Sequence, residues 1–469
     1  MGKDMTKGSP ARLILLFTYP LLLGNIFQQF YSMADTFIVS RTLGMDALAA
    51  VGSTGSIMFL IIGLAIGLTA GLSVITAQRF GKKDERSLRK SLGVSVVISF
   101  VIGILLTIFA VTFAKQILVV MQTPPEIIDQ AYQYIVVIFA GVGATLFFNL
   151  LSNILRAIGD SKTPLYFLIV TSILNIILDY VFILGFNMGV AGAGFATVIS
   201  QFIASLLCLI YIGKKVPMLR IYKDDWTLEW SEYKEHLRIG LPYGFQYSII
   251  AVGAVAVQVT LNQLGSTAVA AYTAASKINQ LLTMPLQSFG ITMSTYAAQN
   301  FGARKMDRIW DGVRAALKMV IIYSILIGLL LFVAGRPLAG VFIDANDVQA
   351  LDMAQQYFLI HAPMYIFLSF VFIFRHTLQG LGNSFAPTIA GIMELASRVF
   401  GAVILSQFFG FAGAALANPL AWIGATIPLL IAYFQTKRRI QLGEPAVKKK
   451  QPVFSQKKRV SQPLTDKKL

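Results

Sequence analysis

The sequence predicts an all-α polytopic membrane protein, with twelve membrane-spanning helices in two six-helix lobes. Three observations predict this fold: composition, a series of long apolar segments and an internal repeat. Of the 469 residues, 56% are hydrophobic and 13% are charged, and the mean hydropathy is +0.69. These values lie far from those of soluble domains, so the chain belongs in a membrane.

Twelve apolar segments follow one another, and most exceed the ~20 residues that a helix needs to cross a bilayer. The first continues past Pro20 without the short apolar region and cleavage site of a signal peptide, so we interpret it as an uncleaved span. The segments lie at residues 12–40, 47–78, 91–114, 127–155, 164–186, 189–213, 237–264, 266–300, 309–335, 350–379, 387–409 and 411–436.

The loops between these segments alternate in charge. Lys and Arg number six in 79–90, two in 156–162, six in 214–238 and four in 304–314, whereas the other loops hold only Arg41, Lys115 and Arg336. Short cytoplasmic loops carry the Lys/Arg excess. We therefore predict twelve spans, both termini in the cytoplasm, and a multi-pass protein of the plasma membrane. The net charge of +17 is gathered in these loops and in the tail, which favours the lipid bilayer over nucleic acid as a partner.

Four sequence blocks recur in the same order and at nearly the same separation. The pairs are "LGMDALAAVG" (43–52) and "LGSTAVAAYT" (264–273), "AQRFG" (77–81) and "AQNFG" (298–302), "RAIGDSKTP" (156–164) and "QGLGNSFAP" (379–387), and "GVAGAGFAT" (189–197) and "GFAGAALAN" (410–418). Because each half holds an even number of spans, both halves enter the membrane in the same orientation and enclose a cavity between them.

The repeat divides the chain into parts. The predicted parts are a first lobe (1–213), a linker (214–236), a second lobe (237–436) and a basic tail (437–469). The tail is rich in Lys and Arg and poor in apolar residues, and this composition predicts disorder.

Two acidic residues fall within apolar segments of the first half. Asp35 lies in "YSMADTFIVSRTLG" (31–44), and Asp179 follows Asn175 by four residues, so this pair shares one helix face. A carboxylate deep in a span costs roughly 2.5–3.5 kcal/mol, so a functional role is the default interpretation. The residues alone thus predict a two-lobed transporter with an intramembrane acidic site.

These motifs, in this order, resemble the multidrug and toxic compound extrusion (MATE) transporters. The resemblance covers nearly the whole chain and rests on "ADTFIVSRTLG", "AQRFG", "NILRAIGDSKTP", "LQGLGNSFAP" and "NIILD" followed by "GVAGAGFAT". It implies secondary active efflux of cationic or amphipathic organic compounds in exchange for Na⁺ or H⁺. It also implies no cofactor besides the coupling ion, and we expect a monomer.

The resemblance further implies a coupling site. Asp35, Asn175, Asp179 and Thr197 match the residues that bind the coupling cation in the first lobe of family members, and Asn153 is a further candidate. Their oxygens suit a hard monovalent cation such as Na⁺, but the same carboxylates can take a proton. For Asn153, Asn175 and Thr197, hydrogen bonding between helices is the alternative interpretation.

Other residues are candidates for conformational change or substrate contact. In the family a bend of the first span accompanies the change of ion occupancy, and Pro20 would permit it, although a static kink is equally consistent. Aromatic, Met and Lys side chains could line an adaptable cavity, with core packing or lipid contact as the alternative for each. They are Phe147, Phe148, Met284, Phe289, Met293, Tyr365 and Lys277.

The second half lacks the acids of the first. Segments 240–263 and 363–374 contain none, and the positions corresponding to Asp35 and Asp179 are Ala256 and Ala402. Glu394 and Arg398 are four residues apart, which predicts an internal salt bridge. We therefore expect coupling to reside in the first lobe.

Two other classes of protein fit the sequence less well. A flippase for lipid-linked oligosaccharides would need several Arg or Lys in the first spans to meet a pyrophosphate. A membrane enzyme would need an acidic metal-diphosphate cluster or a His-rich loop, and Asp224-Asp225 in the linker is the only candidate. No phosphate-binding G-x-x-x-x-G-K-[ST] motif is present, so an ion gradient rather than ATP is the expected energy source. We expect a transporter and not an enzyme.

Overall fold

The computed structural model describes residues 4–226 and 229–446, and these contain no β-strand. The predicted tail beyond residue 446 lies outside them. The α-helices are α1 (Pro10–Leu43), α2 (Met45–Ser53), α3 (Gly55–Lys82), α4 (Glu85–Val120), α5 (Ile128–Ala140), α6 (Val142–Ala157), α7 (Lys162–Tyr180), α8 (Gly189–Lys215), α9 (Trp230–Leu264), α10 (Ser266–Gly302), α11 (Met306–Ala339), α12 (Val348–His361), α13 (Tyr365–Gly380), α14 (Phe385–Val399), α15 (Ser406–Phe409) and α16 (Phe411–Gln441).

Among the described residues, ten helical segments are long and apolar enough to cross a membrane. The number is eleven if α5 and α6, which meet at 46°, form one bent span. The helix that is absent from this count is α10, which the sequence predicts as a span. It has 37 residues, but Lys277, Asn279, Gln280 and Gln287 lower its hydropathy. The twelve-span count and the cytoplasmic location of the termini stay predictions.

The predicted repeat extends to the backbone. Four pairs of residues with positive φ are related by the same separations as the repeat blocks, and each ends or joins helices. The pairs are Gly44 and Gly265, Lys83 and Arg304, Gly159 and Gly382, and Gly189 and Gly410. The turns of the two halves are therefore built alike.

Helices α7 and α14 each continue into a π-helical turn, at Val181–Gly185 and Phe400–Leu405. The helix that follows packs directly on that turn. A Cβ at Gly192 of α8 would lie 3.1 Å from the Phe182 carbonyl carbon, and one at Gly413 of α16 would overlap the Leu405 carbonyl group. Close packing therefore explains why the repeat blocks "GVAGAGFAT" and "GFAGAALAN" both have glycine at this position, Gly192 and Gly413. Turns of this type are frequent at functional sites, and Asp179 comes two residues before the first one.

The two halves meet tightly at one end of the bundle, which we call the linker face. It carries residues 4–9, the linker and the ends of α3 and α10. Helix α3 packs across the lobes against α9, where a Cβ at Gly67 would lie 2.6 Å from the Tyr243 carbonyl oxygen. Small residues at such positions let helix backbones approach closely in membranes. A buried apolar cluster fills the junction: Val74, Ile75, Ala77, Ala157, Ile239 and Ala298.

Hydrogen bonds between the lobes concentrate on the same face. Gln78 donates to the Gly380 carbonyl (2.8 Å) and Gln299 donates to the Ala157 carbonyl (2.7 Å). Of the inter-lobe hydrogen bonds described, the one furthest from the linker face joins Asn25 to Ser288 (3.1 Å). Near the opposite end, the first lobe has its own core around Phe139 and Ile183. The conformation is thus closed at the linker face.

The linker is fastened to the first lobe by charged side chains. Arg79 pairs with Glu232 (2.5 Å), and Arg89 pairs with Asp225 (2.8 Å). Burial alone would raise the pKa of the Asp225 carboxyl, but the Tyr222 N–H and the Arg89 guanidinium hold that pKa below its ordinary value. These contacts bring the segment that precedes α9 onto the ends of α3 and α4.

Candidate functional site

The two intramembrane acids of the sequence meet inside the first lobe. Asp35 on α1 is 9% exposed and Asp179 on α7 is fully buried. Their carboxyl groups lie within hydrogen-bonding reach of each other. Two ionised carboxylates at such a distance repel, so the pair requires a shared proton or a cation.

The other predicted members of the site lie beside Asp179. Asn175 sits one helical turn before it and faces Thr197 of α8. In one orientation of its amide, Asn175 Nδ2 donates to Asp179 Oδ2 (3.3 Å) and Asn175 Oδ1 accepts from the Thr197 N–H (3.1 Å). In the other, Nδ2 faces Thr197 Oγ1 at 3.5 Å. Asp35, Asn175, Asp179 and Thr197 thus form one polar group, which we call the acidic site.

The acidic site has unused acceptor capacity. Asp35 Oδ1 and Asp179 Oδ1 are buried and accept no hydrogen bond from the described residues. A buried carboxylate oxygen without a donor is costly, so these two atoms favour a bound proton or a hard cation. The described residues hold no group of three or more His, Cys, Asp or Glu side chains that would suit a multivalent metal.

Two tyrosines complete the surroundings of the site, and the sequence analysis missed both. Tyr31 hydrogen-bonds through its hydroxyl to Thr197 Oγ1 (3.2 Å), and Tyr134 of α5 is buried close to both carboxyls. Tyr31 precedes Asp35 by four residues, so helical spacing could have indicated it. Nothing in the sequence links Tyr134 to the acids, because that contact exists only through the packing of α5.

The structure places Asn153 apart from the acidic site. Its Nδ2 donates to Thr69 Oγ1 (3.3 Å), and its Oδ1 accepts from Arg156 (3.2 Å). It lies four residues before the end of α6, towards the linker face, whereas Asp35 lies eight residues from the opposite end of α1. Asn153 therefore makes a hydrogen bond between helices, to Thr69 of α3, and one within α6, from Arg156.

Most of the candidate cavity residues are packed in buried cores. Phe148 belongs to the core of the first lobe, and Met284, Phe289 and Met293 belong to that of the second. Tyr365 is fully buried and donates to Asn279 Oδ1 (2.7 Å). In this conformation, all five side chains pack in buried cores and do not line an open cavity among the described residues.

The remaining candidates lie at surfaces or inside α1. Phe147 lines an apolar groove of about 400 Å³ with the exposed rings of Phe100 and Phe202, on the outer surface of the first lobe. Lys277 is exposed, and its ammonium lies 5.9 Å from the centroid of the Phe342 ring. Pro20 is buried within α1, which continues as one helix from Pro10 to Leu43.

The second lobe holds a buried charge cluster instead of paired acids. The predicted Glu394–Arg398 salt bridge is confirmed (2.8 Å). Glu394 also accepts from Arg375 of α13 (2.6 Å), a partner that the sequence analysis missed because it lies on another helix. We call Arg375, Glu394 and Arg398 the arginine cluster.

Fold and site together define a class. The chain is a multi-pass α-helical membrane protein of the plasma membrane, built as two similar halves with an acidic group buried in one of them. The MatE family model matches twice, once in each half, over residues 20–181 and 242–404. The chain belongs to this family, the multidrug and toxic compound extrusion transporters.

Individual relatives extend this similarity over most of the chain. The chain is 29% identical to the probable multidrug resistance protein YoeA of Bacillus subtilis, with 92% of this chain and 94% of that protein covered. It is 27% identical to YpnP of the same organism, at 92% and 96% coverage. A MOP superfamily transporter from Pyrococcus furiosus has the same fold, with a TM-score of 0.84, 24% identity, and 93% and 97% coverage.

Proposed function

We propose that the chain is a secondary active transporter that exports cationic or amphipathic organic compounds in exchange for Na⁺ or H⁺. The observation that carries the proposal is the acidic site, where two buried carboxyls face each other and each keeps an oxygen without a partner. The names of the relatives, probable multidrug resistance proteins, support the substrate class. No cofactor other than the coupling ion enters the proposal.

The proposed coupling follows from electrostatics. With both carboxyls ionised and no cation present, Asp35 and Asp179 repel, which pushes α1 and α7 apart. A proton or Na⁺ between them removes the repulsion and holds the two helices together. Because α1 also packs on α10 of the second lobe, a change at the acidic site is transmitted to the contact between the lobes.

Alternating access supplies the direction of transport. The described conformation is closed at the linker face, which the basic loops predict to be cytoplasmic. An ion that enters from the opposite side would bind here, and its release to the cytoplasm would require the linker face to open. Export results if substrate and ion stabilise different conformations, because binding of one then releases the other.

The flippase alternative receives no support from the site. It would need cationic groups in the first spans to hold a pyrophosphate, whereas the acidic site carries the opposite charge.

Transport by the purified full-length chain in vesicles tests the proposal. Vesicles are loaded with a fluorescent organic cation, and Na⁺ and pH gradients are imposed in separate experiments. We expect one gradient, and not an equal gradient of K⁺, to drive the dye against its concentration. Dye movement that is indifferent to both gradients would contradict the proposed exchange.

A further inference from the structure

The arginine cluster carries an unbalanced positive charge inside the second lobe. Arg375 Nη2 donates to Glu394 Oε2 (2.6 Å) and Arg398 Nη2 donates to Glu394 Oε1 (2.8 Å). Among the described residues, Glu394 is the only carboxylate that pairs with either arginine. Two guanidinium groups therefore share one carboxylate, which leaves one positive charge in excess.

This excess charge is not needed to stabilise the fold. The three side chains are 5–7% exposed, and a buried charge without a counter-charge is costly. A single arginine would neutralise Glu394 at lower cost. Neutralisation of Glu394 therefore does not account for the second arginine.

Both guanidinium groups also keep unused donors. Arg375 Nε and Arg398 Nε are buried and have no acceptor among the described residues. Besides its bond to Glu394, Arg398 makes one long hydrogen bond among the described residues, from Nη1 to the Ile250 carbonyl oxygen (3.5 Å). Buried N–H groups are nearly always paired, so these two donors are available to an acceptor from outside the protein.

The cluster is buried but keeps a small contact with solvent. On α13, Ile373 and Thr377 are fully buried, but Arg375 between them is 4% exposed. Glu394 and Arg398 on α14 are each 6% exposed.

One residue of the cluster occupies the place of an acidic-site residue in the repeat. Arg398 corresponds to Asn175, at the separation that relates "RAIGDSKTP" to "QGLGNSFAP". The helices that carry the two residues, α14 and α7, both continue into a π-helical turn. Arg398 thus lies on the helix that corresponds to the helix of Asp179, although the places of Asp35 and Asp179 themselves are taken by Ala256 and Ala402.

We propose that the arginine cluster binds the anionic group of the exported compound, with a carboxylate as its preferred chemistry. Arg375 and Arg398 are the binding residues, because guanidinium donors hold a carboxylate with directed, charge-assisted hydrogen bonds. The substrates are then organic compounds that carry a carboxylate, zwitterions included. This inference rests on the proposed function and specifies the substrate class, while the acidic site binds the coupling ion.

A matched pair of dyes tests this binding. Rhodamine 110 carries a free carboxylate, and rhodamine 123 is its methyl ester, so the two dyes differ at that group alone. Their affinities for the full-length protein in detergent are measured by fluorescence anisotropy. We expect the wild type to bind rhodamine 110 about tenfold more tightly than rhodamine 123, which corresponds to one charge-assisted interaction.

Three variants locate the effect. Arg398→Gln and Arg375→Gln each leave a neutral pair with Glu394, so both should fold and bind the two dyes equally. Arg398→Lys keeps the charge and should retain part of the preference. The thermal midpoint serves as the control for folding in every variant.

The outcomes separate this inference from the proposed function. Equal affinities in the wild type, or a carboxylate preference that survives both Gln variants, would overturn the inference even if an ion gradient still drives rhodamine 123. Failure of the wild type to bind either dye would count against both proposals. If the wild type prefers rhodamine 110 and both Gln variants lose this preference, the result supports carboxylate binding by the two arginines.

Discussion

Gly81 of α3 packs directly on the backbone of Gln299 in α10, so that a Cβ at Gly81 would lie 2.7 Å from the Gln299 carbonyl carbon and overlap its oxygen. The relationship is reciprocal, because Gly302 packs on Gln78 in the same way. The internal repeat relates Gly81 to Gly302 and Gln78 to Gln299. These two contacts close the linker face through backbone atoms, which cannot move aside as a side chain can.

Gly81→Ala should therefore favour opening of the linker face. The added methyl forces the two helix ends apart, at a cost of about 1–3 kcal/mol for overpacking. The measurement is the rate of maleimide labelling of Ala157→Cys, a buried junction residue, in a Cys208→Ser background. We expect faster labelling when Gly81→Ala is added. Gly213→Ala is the control, since a Cβ at that helical position meets nothing within 4 Å. If both changes accelerate labelling equally, the Gly81 contact does not hold the linker face closed.

Glu394→Gln should be more damaging than loss of either arginine. It leaves two buried guanidinium groups without a counter-charge, and breaking a buried ion pair in this way costs about 3–5 kcal/mol. Thermal unfolding of the detergent-solubilised protein measures the effect. We expect the midpoint to fall for Glu394→Gln and to stay at or above that of the wild type for Arg398→Gln, which leaves a neutral Arg375–Glu394 pair. A midpoint for Glu394→Gln at or above that of the wild type would show that Glu394 does not neutralise the arginines.

The linker contact should depend on pH through Asp225. Because the pKa of Asp225 is below its ordinary value of 3.8, ionisation of this carboxyl stabilises the docked linker above that pH. The stabilisation should be lost as the pH falls through the lower pKa of the docked state. Hydrogen exchange of residues 214–226 reports docking, and we expect protection to persist at pH 5. In Asp225→Asn the protection should already be reduced at pH 7; unchanged exchange would exclude the Arg89 pair as a fastening.

Tyr31→Phe should weaken the acidic site without abolishing it. The change removes the hydrogen bond to Thr197 Oγ1, and a single hydrogen bond contributes about 0.5–1.5 kcal/mol. We expect the concentration of coupling ion at half-maximal export to rise a few-fold at unchanged maximal rate. Tyr19→Phe, at an exposed position of the same helix, is the matched control. If Tyr31→Phe and Tyr19→Phe have the same effect, the Tyr31 hydroxyl does not contribute to ion binding.

The sequence predicts the framework well because apolar segments and repeats depend on local composition. The resemblance to the family further implies that Asp35, Asn175, Asp179 and Thr197 belong together, while the residues alone indicate only the two acids within spans. Arg375, Tyr134 and the position of Asn153 depend on which helices pack together, which spacing along one helix does not reveal. The bends and π-helical turns escape prediction for the same reason, since packing between helices decides them.

The central claim is that Asp35 and Asp179 couple export to the ion gradient. In vesicles with equal amounts of protein, concentrative export of a fluorescent cation is compared with its equilibrium exchange in the wild type, Asp35→Asn, Asp179→Asn and the double variant Glu394→Gln/Arg398→Gln. Asn keeps the size of Asp but removes the charge that attracts the ion. The account predicts that each Asp variant loses ion-driven accumulation yet retains exchange, while the double variant keeps its dependence on the ion at a reduced rate. Ion-driven accumulation that persists in the Asp variants but disappears in the double variant would contradict it.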